Sequence, residues 1–343
     1  MNGLYKDKKI LITGGTGTIG SYLAKRLLAD NPKVIRIFSR DEYKQFEMAQ
    51  EFHGFSSRLR FLIGDVRDQQ RLARAMEGID YVFHCAAMKH VPACEYNPFE
   101  AVQTNVIGTQ NVIQSALSAG VKKVIFLSTD KAIAPTNTYG ATKLMAERLI
   151  SSAQYQAGSS ITVFAAVRFG NVMGSRGSVI PLFKKQIERN REITVTRSSM
   201  SRFMMTLDEA IELTIRAMHY AQGGEVFVLK MPVVRLGDLA KAVVLEMSRI
   251  MGVTPEEIEI IEIGLRPGEK MYEELMTDEE GKRARELKEM FVIPNEFVKQ
   301  GTYPNSRPLK NGRYSSEDQK PLEFDEVSEL LIRSRAFDER YKD

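Results

Sequence analysis

Tryptophan is absent from the 343 residues, and only two cysteines and four histidines occur. Cys85 and Cys94 lack zinc-ligand spacing, so neither a structural zinc site nor a disulfide framework is implied. His84 has no second histidine or carboxylate at helical spacing, which reads as a packed side chain, and no metal is expected. A dominant charge is also missing: 48 Lys and Arg stand against 44 Asp and Glu, a formal net charge of +4. With no basic stripe interleaved with aromatics, a nucleic-acid partner is excluded from the reading. No apolar run reaches the roughly 18 residues of a membrane span, and no signal peptide is seen, so neither membrane insertion nor export is expected. A reducing cytoplasm is the default setting. Internal repeats and low-complexity segments are lacking too.

What is present is a buried-strand signal running into a glycine turn. Ile10, Leu11 and Ile12 form a short apolar run of the parallel-strand kind, and Gly14, Gly17 and Gly20 follow at intervals of three. Glycine lets main chain approach a diphosphate, and the helix expected over 18–30 would aim free N–H groups and a positive dipole end at it. Gly14, Thr16, Gly17, Thr18, Ile19 and Gly20 are the candidate cofactor contacts of this turn. The strand-turn-helix context raises this above a chance glycine turn.

Further strands are predicted over 33–38, 58–63, 81–84, 122–128 and 161–167. Alternating with helices, they imply an α/β fold, a doubly wound parallel (Rossmann) sheet with its ligand at the carboxyl ends of the strands. The second strand ends in Ser39 and Arg40, with Lys44 a helical turn on, where an NAD site usually carries an acid for the ribose 2′-hydroxyl. A hydroxyl and two cations suit a 2′-phosphate, so the expected cofactor is NADP; alternatively, Arg40 and Lys44 form a solvated helix start capped by Asp41. Asp65 is placed to meet the adenine amino group, beside Val66, and Ala86 and Ala87 are small where backbone must pass a ligand. Lys89 could reach a substrate. Asn97 and Pro98 read as the cap and first turn of a helix to about residue 117, which carries Asn105 near its middle.

The fifth strand delivers Ser128, Thr129, Asp130 and Lys131 to the sheet's mouth, and Tyr139 and Lys143 share one face of the next helix. A lysine cation lowers the phenol pKa, so Tyr139 could take a hydroxyl proton as hydride leaves the same carbon. Lys143 could also hold the nicotinamide ribose, and Thr129 the reacting oxygen. Alone, such a Tyr-x-x-x-Lys spacing is common in helices.

Gly14, Gly17, Gly20, Thr129, Tyr139 and Lys143 together resemble the extended short-chain dehydrogenase/reductase family. Within it, the runs 128–132, 139–143, 168–172, 174–178 and 266–270 resemble the inverting UDP-N-acetylglucosamine 4,6-dehydratases of bacterial surface-sugar biosynthesis. The similarity covers roughly residues 7–295. It implies an NADP-linked lyase acting on a UDP-sugar and a homo-oligomer. In that chemistry a C4 ketone acidifies the C5 proton, which neutral Lys131 removes while Asp130 as an acid protonates the departing C6 hydroxyl. Lysine in place of the glutamate of retaining relatives fits C5 inversion. A plain Asp130–Lys131 salt bridge is the bland alternative; a UDP-N-acetylhexosamine 4-epimerase and a non-catalytic nucleotide sensor are the competing functions.

Two unequal lobes are expected. Residues 1–168, rejoined at about 205–228, would form the NADP-binding Rossmann domain; 169–204 and 229–343 would form a smaller mixed α/β substrate-binding lobe and a C-terminal arm. Asn171 and the loop 174–178 suit sugar and diphosphate. Arg202 is a phosphate candidate or a structural salt bridge, since an arginine fork matches a diphosphate. The resemblance places Asn171 and Arg266 near the UDP and Glu269 on the uridine ribose. The polar stretch 305–323 is read as an arm on the surface or on another subunit.

Overall fold

The computed structural model describes residues 3–297, 303–309 and 312–338. Strands β1 (Lys9–Thr13), β2 (Val34–Ser39), β3 (Leu59–Ile63), β4 (Tyr81–His84), β5 (Lys123–Leu127) and β6 (Val163–Arg168) pair in parallel. The order is β3-β2-β1-β4-β5-β6, extended by Val226–Leu229, which is parallel to β6. The apolar runs of β1, β2, β4, β5 and β6 are buried because helices cover both faces, as parallel sheets require, whereas edge strand β3 is only partly buried. The fold is the doubly wound Rossmann sheet that the strand pattern implied.

Within 229–343, Met290–Ile293 and Arg285–Glu286 do not leave this sheet but extend it with antiparallel pairing. All four side chains of Met290–Ile293 are buried, which explains their place in the layer. The buried apolar residues fall into two clusters. The larger surrounds the sheet, and the smaller gathers around the helices Val179–Asn190, Leu236–Met251 and Phe324–Arg333. No helix among the described residues is long and apolar enough to cross a membrane.

Two local readings are revised. Asn97 makes no side-chain cap; its amide instead donates to the Ala93 carbonyl, because a short helix, Val91–Tyr96, precedes it. The helix it was to open is interrupted by a π-helical stretch, Val102–Ile107, holding Asn105. Such wide turns are rare and gather at functional sites. The Asn105 amide donates to the Met88 carbonyl and the Thr142 hydroxyl and accepts from Met88 N–H, tying the residue before Lys89 to the Tyr139 helix.

Candidate active site

The sheet reverses direction of winding between β1 and β4, the place where doubly wound folds open a crevice. Gly14 follows β1 there with φ +66°, and a Cβ on it would lie 2.7 Å from Ala86 N. Both its conformation and its neighbour therefore demand glycine. The helix that follows, Thr18–Leu28, begins at Gly17 with no side-chain cap and no acid in its first turn. Its free N–H groups and positive end fit a diphosphate. Thr16 is buried and Ile19 packs on the core, while the Thr16 carbonyl and Thr18 hydroxyl accept from Arg176, an exposed residue of the loop 174–178. Arg176 was not among the candidates; sequence spacing could not bring it to the glycine turn.

At the end of β2, Ser39 Oγ accepts from Gln45, leaving its own proton to donate. Arg40 lies 3.7 Å from Asp65, and Lys44 pairs with Asp41 at 3.2 Å. Asp41 is also the cap of its helix, accepting from Lys44 N–H. Asp65 additionally holds Arg67, and Val66 packs where a Cβ on Gly108 would come within 2.7 Å. Ala86 N–H reaches the Thr13 hydroxyl, and Ala87 follows it along the crevice, half-buried. His84 is packed between the Thr13 and Thr109 hydroxyls.

The reacting end is built from the mouth of β5. Asp130 N–H bonds the Phe169 carbonyl, and Asp130 is wholly buried. Its Oδ1 accepts from the Thr129 hydroxyl at 2.8 Å and from Lys131 Nζ at 3.1 Å, whereas its Oδ2 has no partner among the described residues. Such an orphaned buried oxygen is costly unless a ligand satisfies it. Asn137 caps the helix Thr138–Gln156, and a Cβ on Gly140 would fall 2.1 Å from the Lys131 carbonyl. Glycine at 140 lets the Tyr139 helix press directly on Lys131.

The electrostatics correct one expectation. Burial pushes the Tyr139 phenol up to about 12, and the cation opposing that rise is Lys131 rather than Lys143. Lys143 donates to the Leu127 carbonyl at 2.6 Å with its ammonium 3.8 Å from the Phe126 ring centroid, and burial pushes it down to about 7. Desolvation thus outweighs the helical-face pairing of the two residues. Burial also works against the charge on Lys131, but Asp130 and Glu273 together hold its proton more firmly than an ordinary lysine's.

Beside this corner is a cavity of about 240 Å³ lined by Asn171, Ser178, Phe183, Arg202, Arg266 and Glu269 among others. Four of the five predicted substrate residues are thus brought together. Lys89, the fifth, is exposed and outside that lining; its ammonium donates to the Arg176 carbonyl, an anchor for the loop 174–178. Arg202 also donates to the Lys270 and Ser201 carbonyls, and Arg266 N–H bonds Glu269. The stretch 305–323 is only partly a surface arm. Tyr314, Ser315 and Ser316 are buried, and Tyr314–Ser315 pairs with Glu274–Met276 behind Lys131. Residues 310 and 311 lie outside the described residues.

A dinucleotide crevice at the reversal of a parallel sheet, with a Thr-Tyr-Lys set at the next strand's mouth, defines an enzyme of the extended short-chain dehydrogenase/reductase superfamily. A family model described as "Polysaccharide biosynthesis protein" matches residues 10–295, and the chain belongs to that family. The solved structure of Pen from Bacillus thuringiensis is 55% identical, with a TM-score of 0.92, covering 97% of this chain and 99% of that one. An uncharacterized membrane protein of Methanocaldococcus jannaschii is 50% identical, covering 96% of this chain and 97% of its own. A UDP-N-acetylglucosamine 4,6-dehydratase (inverting) of Campylobacter jejuni is 41% identical over 96% of this chain and 98% of its own. A UDP-glucose 4-epimerase of Rickettsia rickettsii is 40% identical over 96% of each.

Proposed function

We propose that the protein is an NADP-dependent UDP-N-acetylglucosamine 4,6-dehydratase that inverts C5, a lyase supplying a 4-keto-6-deoxy sugar for surface-glycan synthesis. The observation that carries this reading is Lys131 3.1 Å from a buried Asp130 whose second oxygen has no partner among the described residues. A 4-epimerase needs neither a C6 acid nor a C5 base.

Bound NADP supplies the hydride acceptor for C4 and the donor for C6. Tyr139 takes the C4 hydroxyl proton, with Thr129 bonding that oxygen and Lys143 holding the nicotinamide ribose. Lys131, once neutral, accepts the C5 proton, and Asp130 as an acid gives its proton to the C6 oxygen, which leaves as water. Lys131 passes its proton back to Asp130, and a solvent-derived proton adds to C5 from the face opposite Lys131, which inverts that centre. Asn171, Arg202, Arg266 and Glu269 hold the UDP moiety. Ser39, Arg40 and Lys44 favour a 2′-phosphate, since Ser39 retains a donor and the strand end offers no acid before Asp41. The division into a Rossmann domain and a substrate lobe, self-association and a cytoplasmic setting belong to the same proposal.

Incubation with UDP-N-acetylglucosamine in deuterated water decides it. Loss of water, a new C6 methyl signal and deuterium at C5 are expected by mass and proton NMR. The epimerase-named relatives at 40% identity favour a second reading, which an unchanged mass and a galacto-configured product would support instead.

A further inference from the structure

Glu273, absent from every motif used so far, stands in the reacting corner. Its carboxylate lies 3.7 Å from Lys131 Nζ and 3.9 Å from Arg202 Nε, and the residue is 5% exposed. The backbone that carries it is unusually well tied. Glu273 N–H donates to Ser316 Oγ, and Ser316 N–H donates back to the Glu273 carbonyl, both at 2.9 Å. Ser316 Oγ in turn shares a 2.9 Å hydrogen bond with Ser201 Oγ, next to Arg202. One serine thus sets the spacing between the carboxylate and the arginine.

Lys131 therefore faces two carboxylates, Asp130 and Glu273, together with Arg202 and the Tyr139 phenol. Glu273 itself faces Lys131, Asp130, Arg202 and Lys270. A simple ion pair would need only one acid, and Asp130 already provides it. We propose that Glu273 is a positioning residue that holds Lys131 beside Asp130 and sets how firmly the amine keeps its proton. The inference rests on the dehydratase reading for its role in turnover, while the charge coupling stands apart from it.

The step it governs is a proton shift within the corner. The Lys131 N–H bond breaks and an O–H bond forms on Asp130, giving the neutral amine and carboxylic acid that water loss needs. Glu273 stays anionic opposite Arg202 and pulls against this shift at rest. After Lys131 has taken the C5 proton, the same charge stabilises the ammonium formed, so Lys131 is a stronger but less populated base. Burial and the nearby Asp130 raise Glu273 itself, against the pull of Lys131, Arg202 and Lys270.

The test is acylation of Lys131 as a function of pH, read by peptide mass spectrometry on the full chain, with acetic anhydride as the probe. Glu273→Gln should lower the pH of half-maximal Lys131 labelling by about one unit or more, the usual reach of an opposite charge at this distance. Glu273→Asp, which keeps the charge and guards against misfolding of the amide variant, should restore most of it. An unmoved labelling midpoint in a folded Glu273→Gln protein overturns the coupling. In turnover, the limb of the kcat profile that reports neutral Lys131 should move by the same amount with KM little changed. A shifted label with an unshifted limb removes Glu273 from the reaction. Failure of the dehydratase reading is seen separately, as the absence of a C6 methyl product from the wild type.

Discussion

Between Gly14 and Ala87 the cleft is lined by residues that arrive from neighbouring parallel strands, each at a strand's carboxyl end. The wall facing Asp130 instead gathers Arg202, Glu273 and Ser316 from separate segments of the second half of the chain. The first wall is made of backbone: a glycine turn, an uncapped helix start and small side chains. The second is made of charge, with two acids and two bases within 4 Å contacts. Backbone walls hold a ligand's shape and phosphates, whereas a charged, buried wall stores and moves protons. The comparison suggests that binding of the cofactor and chemistry on the substrate can be damaged separately.

The sharpest way to separate the walls is Lys131→Ala. Dehydration should fall on the order of 10²- to 10⁴-fold, the usual worth of a general base, while reduction of bound cofactor, read at its nicotinamide absorbance, persists. Full activity in that variant would remove the proposed base. Next in size is the buried support beneath both walls. Arg168 is wholly buried and bonds Glu147 of the Tyr139 helix, Glu280 and the Leu275 carbonyl. Despite the upward push of burial, its guanidinium holds Glu280 below the usual carboxylate range. Arg168→Ala would leave two buried acids uncompensated and should cost about 3–5 kcal/mol in denaturant unfolding; a loss under 1 kcal/mol would show that the network contributes little.

A smaller effect is expected at the cofactor wall. Arg40→Ala should weaken NADP binding roughly tenfold, measured by fluorescence titration, with NAD binding unchanged. Equal affinity of the unaltered protein for the two cofactors would defeat the preference. Smallest is Ser316→Ala, which removes one acceptor from Glu273 N–H and should lower stability by about 1 kcal/mol. Its rate should fall less than that of Glu273→Gln, and the reverse order would mean that the serine, not the charge, organises the corner.

The sequence by itself determined the parallel sheet, the glycine turn and the Thr129-Asp130-Lys131 strand end, and it offered the Asp41 cap as an alternative, because each depends on residues a few positions apart. Local spacing also placed Tyr139 and Lys143 on one helix, but not their charges. Only the tertiary structure decided that Lys143 turns to the Leu127 carbonyl and that burial raises the phenol. It alone brought Arg176 to the glycine turn, Glu273 to Lys131 and the polar run near residue 315 into the interior. Desolvation and long-range ion pairing depend on what surrounds a side chain in space, and no period of 2 or 3.6 along a chain records that.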